Sequence, residues 1–167
     1  MPISSTDVSD LRIEKRRTEA ELTLATGTTV HGCFFLAASS ATHAPERVGD
    51  LLNTDAGFFP FELNRQGRPE TVLYNRSHVV LVTLLAASAI EAQLEPGYAV
   101  ATERGVRMLL SNGRTIEGCV RVYQPSGRDR LSDYARTPQL FHYVETSRAT
   151  LIVNTAHIVE LRETNDA

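Results

Sequence analysis

The sequence predicts an all-β protein of two tandem five-stranded barrels, each with a short helical turn, packed together as a pseudo-dimer. Three observations carry this expectation. Blocks of sequence recur in the same order along the two halves of the chain. Within them, apolar and polar residues alternate at the two-residue period of a strand. Short runs are separated by glycine-containing turns at hairpin positions.

The recurrence has three blocks. Glu21 to Cys33 (ELTLATGTTVHGC) matches Arg107 to Cys119 (RMLLSNGRTIEGC) at an offset of 86. RVGDLL from Arg47 matches RLSDYA from Arg130 at an offset of 83, and Phe58 falls on Phe141 at that same offset. NRSHVVLV from Asn75 matches NTAHIVEL from Asn154 at an offset of 79. The offset only shrinks, as two short deletions in the second copy would make it. These blocks divide the chain into an N-terminal segment 1–17, a first unit 18–84, a linker 85–103 and a second unit 104–163.

Each unit opens with a strand, since Ala20, Leu22 and Leu24 alternate with polar residues, as do Val106, Met108 and Leu110. Thr26-Gly27 and Asn112-Gly113 then turn the chain. The return strands place Val30, Gly32, Phe34 and Leu36 on one face, and Ile116, Gly118, Val120 and Val122 on the equivalent one. A glycine inside a strand marks a sharp bend or a close backbone approach. A helical turn is expected over Glu46 to Asn53 and Asp129 to Arg136. A third strand follows at Phe58 to Leu63 and Phe141 to Glu145, a fourth at Thr71 to Tyr74 and Thr150 to Val153, and a fifth at Val79 to Leu84 and Ile158 to Leu161. Between the units, Leu85 to Leu94 has a helix-forming composition, Pro96-Gly97 turns the chain, and Tyr98, Val100 and Thr102 alternate as if starting the next strand. The N-terminal stretch through Ser9 is polar and expected to be loose, with a small basic cluster of Arg12, Lys15, Arg16 and Arg17 after it.

Composition narrows the function classes. Hydrophobic residues make up 42% and charged residues 22% of 167, as in ordinary folded proteins. The net charge of −3 provides no global field favouring nucleic acid. No apolar run reaches the roughly 18 residues of a membrane span. The opening MPISSTDVSD lacks the basic and apolar regions of a secretory signal, so a cytoplasmic location is expected. Cys33 and Cys119 lack metal-ligand spacing and read as small packing residues.

The strand, glycine turn, strand with internal glycine (TTVHG and RTIEG), downstream Asp and final N-x-x-H-[VI]-V block resemble the Sm-like (SH3-like) fold of bent five-stranded barrels. The resemblance spans most of both units. The chain is also similar to a group of bacterial proteins with R-[VL]-[SG]-D and N-x-x-H-[IV] blocks, a likeness that implies no activity. The Sm resemblance would imply RNA binding through an Asp-x-x-x-Asn stretch and an Arg-Gly step. Here Asp50 and Asn53 are too close, the second unit has Asp133 and Arg136, and Asn75-Arg76 and Asn154-Thr155 stand where Arg-Gly would be. Uridine-type RNA binding is therefore not expected. Arg12 with Arg16 and Arg17 resembles the R-x-x-x-R element of cyclic-dinucleotide-binding barrels, but its companion motif is missing from Asp129 to Ala135.

Five residues are candidate binding groups. Arg47 with Asp50 and Arg130 with Asp133 have i,i+3 spacing on a short helix, and Arg128 adds charge to the second loop. Loop arginines lining a concave site would favour an anion, and Tyr123 or Tyr134 stacking beside them would favour nucleic acid. Asn75, His78, Asn154 and His157 read as turn residues, with both histidines partly buried, bonded to a loop carbonyl and free of metal. No catalytic motif, cofactor site or metal site is expected. The functional expectation is a non-enzymatic binding or assembly module, with self-association or a protein partner at the barrel edge strands. A nucleic-acid or nucleotide-binding module is the alternative, and an enzyme comes third.

Overall fold

The computed structural model describes residues 14–40, 42–54, 57–85 and 94–165, and its strands form one ten-stranded antiparallel sheet. In chain order, β1 (Lys15–Leu24) turns at Gly27 into β2 (Thr29–Ala37), followed by α1 (Val48–Thr54), β3 (Phe58–Arg65) and β4 (Arg68–Asn75). A single 3-10 turn, Arg76–His78, leads into β5 (Val79–Leu84). The second half repeats this plan with β6 (Thr102–Leu110), β7 (Thr115–Val122), α2 (Leu131–Ala135), β8 (Phe141–Glu145), β9 (Thr150–Asn154), a 3-10 turn Thr155–His157 and β10 (Ile158–Glu163). Gly27 and Gly113 sit at φ of 86° and 83°, the left-handed conformation that a hairpin turn needs and glycine tolerates.

The sheet order is β10-β6-β7-β8-β9-β5-β1-β2-β3-β4, so both halves order their strands alike: fifth, first, second, third, fourth. The all-β expectation holds. The expected closure does not: β4 makes no ladder with β5, nor β9 with β10, and the sheet stays open. The free edge of β5 is taken by β9, with Leu81 opposite Val153, Val82 opposite Ile152 and Thr83 opposite Leu151.

The glycines inside the second strands have a steric reason. A Cβ on Gly32 would lie 2.0 Å from the Glu62 carbonyl oxygen, and one on Gly118 would lie 2.3 Å from that of Glu145. These are the points where β2 meets β3 and β7 meets β8, across only a residue or two of pairing. Any larger residue would force those backbones apart.

Other boundaries differ from the sequence expectation. β1 begins at Lys15, which brings Arg16 and Arg17 out of the N-terminal segment and into the sheet. Tyr98–Val100 is a 3-10 turn, because Gly97 at φ 82° reverses the chain just before it, and β6 starts only at Thr102. Arg12, the polar start and most of the helix-forming stretch after Leu85 lie outside the described residues.

Two apolar cores form, and each takes residues from the other half. The first gathers Leu22, Phe34, Phe59 and Phe61 around the sheet and adds Phe141 and Ile152 from β8 and β9. The second gathers Val106, Met108, Val120 and Val122 and adds Val80 and Leu81 from β5. β5 lies centrally and serves both cores: Val79, Val82 and Leu84 join the first and Val80 and Leu81 the second, with the register against β1 shifting between Leu81 and Val79. Covered on both sides, it reads as a nearly continuous apolar run, VVLVTL.

Candidate functional site

Where α1 approaches β8, the two halves meet outside the strand ladder. Gly49 N–H donates to the Tyr143 hydroxyl at 2.9 Å. A Cβ at Gly49 would lie 2.6 Å from the Tyr143 ring, so glycine is what permits the contact. Asn53 completes the seam as a surrogate strand: its Nδ2 donates to Phe141 O at 2.9 Å and its Oδ1 accepts from Phe141 N–H at 2.8 Å. Arg76, buried beneath, donates to Phe58 O at 2.8 Å and Leu51 O at 3.0 Å, tying α1 to β3. This seam fixes the start of α1 beside the second half.

A cavity of about 350 Å³ opens there. Its walls come from Arg47 at the start of α1, the segment Leu94 to Tyr98, the β7 residues Cys119, Arg121 and Val122, Tyr123 just after them, and Tyr134, His142, Tyr143 and Glu145. Pockets of roughly 300–1,000 Å³ with aromatic walls and a few polar groups are the usual form of small-molecule sites.

Its charges are largely paired. Arg47 donates from Nε to Asp50 Oδ2 at 2.9 Å and from Nη2 to Asp50 Oδ1 at 2.7 Å, a bidentate pair. Burial disfavours the Arg47 charge, but Asp50 more than offsets this and holds the guanidinium pKa above its usual value. The remaining Nη1 is buried without a hydrogen bond among the described residues, and Oε1 of Glu95 lies 3.8 Å away. Arg121 reaches Glu103 at 2.8 Å and Glu145 at 3.3 Å, and lies over the Tyr98 ring at 4.3 Å. The Tyr98 hydroxyl hydrogen-bonds Glu145.

Tyr134 is the outlier. It is only 6% exposed, yet its hydroxyl has no hydrogen-bond partner among the described residues. Burial pushes its pKa up, so it remains a neutral hydroxyl. A buried hydroxyl without a partner costs about 1–3 kcal/mol. His142 packs edge-on against it, ring centroids 4.8 Å apart. Burial lowers the His142 pKa, and Nε2 donates to Gln139 O at 2.8 Å, which leaves Nδ1 as an acceptor. Burial likewise raises the Cys119 thiol pKa, helped by Glu103, so this cysteine is not an activated nucleophile.

The sequence-predicted residues divide between this cavity and simpler positions. Arg47 lines the cavity, and Asp50 holds it while also accepting the Arg47 N–H at 3.0 Å. Arg128 and Arg130 are exposed and outside the cavity walls. Asp133 caps α2 by accepting the Arg130 N–H at 3.3 Å. Asn75 accepts from Ser77 N–H at 3.0 Å and Asn154 from Ala156 N–H at 3.0 Å, each capping its 3-10 turn. His157 Nε2 donates to Ser77 O at 2.8 Å and Nδ1 pairs with the Ser111 hydroxyl at 2.7 Å, bridging the halves. His78, expected to be partly buried, is exposed instead, and Ala25 stands in the first half where His157 meets Ser111 in the second.

Sequence reasoning missed Glu95, Tyr98, Arg121, His142 and Tyr143. One signal was present: four of the chain's five tyrosines fall between residues 98 and 143. Among the described residues, no three His, Cys, Asp or Glu side chains are grouped to hold a metal ion, and no helix is long and apolar enough to cross a membrane. No protein-family model, curated protein or solved structure matches this chain.

Proposed function

We propose that this protein is a non-enzymatic binding module, two Sm-like units arranged as a pseudo-dimer, which takes a small ligand in the cavity where its halves meet. The observation that carries this reading is the cavity itself, about 350 Å³ with Tyr98, Tyr123, Tyr134 and Tyr143 on its walls. The state of the neighbouring groups supports holding over reacting. His142 stays neutral with its Nε2–H engaged, and the Cys119 thiol stays protonated. Thr137, on the cavity wall, is the place to test it. A fragment set screened by thermal shift is expected to contain compounds that raise the Tm of the wild type and leave a Thr137→Trp variant, with its cavity filled, unmoved. Equal responses from both proteins, or none from either, would sink the reading.

Assembly is a second reading, and the open sheet favours it. Inside the chain, a fifth strand (β5) already pairs with a fourth strand (β9). The two outer edges, β10 and β4, are strands of those same two kinds, and an unpaired edge is a template for strand addition. Leu73 on β4 and Val159 on β10 are 63% and 66% exposed. Sedimentation of the intact chain tests this: a strict monomer up to about millimolar concentration would leave the edges only to a different protein partner.

A further inference from the structure

Four buried residues cross the internal junction to join the other half's core: Phe141 and Ile152 enter the first core, and Val80 and Leu81 enter the second. Each is at most 1% exposed. At the repeat offsets of 83 and 79, their counterparts are Phe58, Leu73, Val159 and Glu160. The first three are large apolar side chains left in the open, 63%, 63% and 66% exposed. Single exposed apolar residues are ordinary. These three, however, stand at the two outer edges of the sheet, in the positions whose counterparts the junction buries. Phe58 and Leu73 belong to the β3–β4 hairpin, and Val159 belongs to β10.

On the assembly reading, we infer that the partner at both edges is a second copy of this chain, with β10 of one copy pairing antiparallel with β4 of the next in the register that joins β5 to β9. Inside the chain, that ladder sets Leu81 opposite Val153, Val82 opposite Ile152 and Thr83 opposite Leu151. Carried to the edges by the repeat, it sets Glu160 opposite Tyr74, Leu161 opposite Leu73 and Arg162 opposite Val72 of the next copy. No like charges face each other across this span. Pro69, which cannot donate to a ladder, falls outside it, because its opposite would lie beyond Glu163, where β10 ends. Val159 then enters the first core of the copy it pairs with, and Phe58 and Leu73 of that copy enter the second core of its neighbour. Unlike edges pair, so the contact is head-to-tail and leaves one edge of each kind free to continue.

This contact is weaker than the internal one. Glu160 stands where Leu81 is buried, and covering a carboxylate there carries a desolvation cost that its ion pair with Arg162 offsets in part. The seam beside the ladder is not repeated either, since Ser132 and Arg136 occupy the places of Gly49 and Asn53. Association is therefore reversible.

Sedimentation velocity of the full chain over a concentration series up to about millimolar tests this. The wild type is expected to associate as concentration rises. Leu73→Lys and Val159→Lys each charge one edge at an exposed position, so each should keep the wild-type Tm when dilute and stay monomeric alone. An equal mixture of the two is expected to form a dimer and nothing larger, because one intact β10 then meets one intact β4. Glu160→Leu should tighten association at least about tenfold. Self-association of Leu73→Lys alone would mean β10 pairing with β10, and that of Val159→Lys alone would mean β4 with β4. Either result overturns the inference and leaves the assembly reading standing. A mixture that stays monomeric, or unchanged association in Glu160→Leu, overturns it in the same way. A strictly monomeric wild type also overturns it and leaves the edges to a different protein partner, with the cavity reading untouched.

Discussion

β9 and β4 occupy the same place in the two halves, yet every residue of β9 is buried and none of β4 is. β5 and β10 are matched in the same way, and β5 is almost wholly buried while β10 has no buried residue. The difference follows from position in the sheet. β5 and β9 face each other at the junction, and β4 and β10 are the outer edges. Sequence has adapted to those positions. β10 carries Glu160, Arg162 and Glu163 where β5 carries Leu81, Thr83 and Leu84, and β4 contains Pro69, which cannot donate to a further strand. One plan repeated twice thus becomes two different halves because only one fourth strand and one fifth strand find a neighbour within the chain.

The turn residues carry the same lesson. Asn154 is fully buried, and its Nδ2 donates to Val79 O at 2.9 Å and Arg76 O at 3.3 Å, both in the first half. The side chain of its counterpart Asn75 accepts within its own turn, from the Ser77 N–H and hydroxyl. The cores diverge as well. Phe34, Phe59 and Phe61 make an aromatic cluster with centroids 5.6 and 5.0 Å from Phe34. At the same offsets the second half has Val120, His142 and Val144. The half with the smaller core residues is the one that supplies most of the cavity wall.

The largest test of this asymmetry is to cut the chain. Residues 1–85 and 86–167, expressed separately, are expected to be unfolded or to melt at least about 10 °C below the intact protein, since each then lacks the core residues its partner supplies. Mixing them should restore a cooperative transition. If both fold alone as monomers with the Tm of the whole chain, the junction contributes nothing and the comparison fails.

A smaller effect compares single residues across the halves. Asn154→Ala leaves Val79 O and Arg76 O without that donor inside the junction and should cost about 2–3 kcal/mol in urea unfolding. Asn75→Ala removes a turn cap and should cost about 1 kcal/mol. Similar losses at the two positions would show that the junction does not differ from the edge.

The smallest contrast is between the histidines. His157→Ala breaks the bridge from Ser111 to Ser77 O and should cost about 1 kcal/mol. His78→Ala, on an exposed ring, should fall within about 0.5 kcal/mol of the wild type. A reversed order would mean that His78 makes a contact stronger than its exposure implies.

The strands were legible because alternation and glycine turns are local signals. Tyr134 was legible only as a residue to watch, and Glu95 and Arg121 not at all, since nothing near them in sequence records which distant side chains they meet. Asp50 and Arg47 stood out by their spacing, but that spacing alone did not distinguish a helix-lacing pair from a wall of a cavity. β5 and β10 were expected alike as fifth strands, although their compositions, VVLVTL against IVELRE, differ because a strand covered on both faces must be apolar throughout and an edge strand need not be.

The sequence by itself determined the all-β class, the hairpin turns, the internal glycines and the order of like elements in both halves. These depend on steric limits and periodicities that act within a few residues of the chain. Tertiary structure alone decided that the sheet stays open, that β9 rather than β4 closes onto β5, and that Arg47 and Tyr134, 87 residues apart, share one cavity. Those outcomes depend on which of several similar edges and faces find each other, and the residues that settle the choice are far apart along the chain.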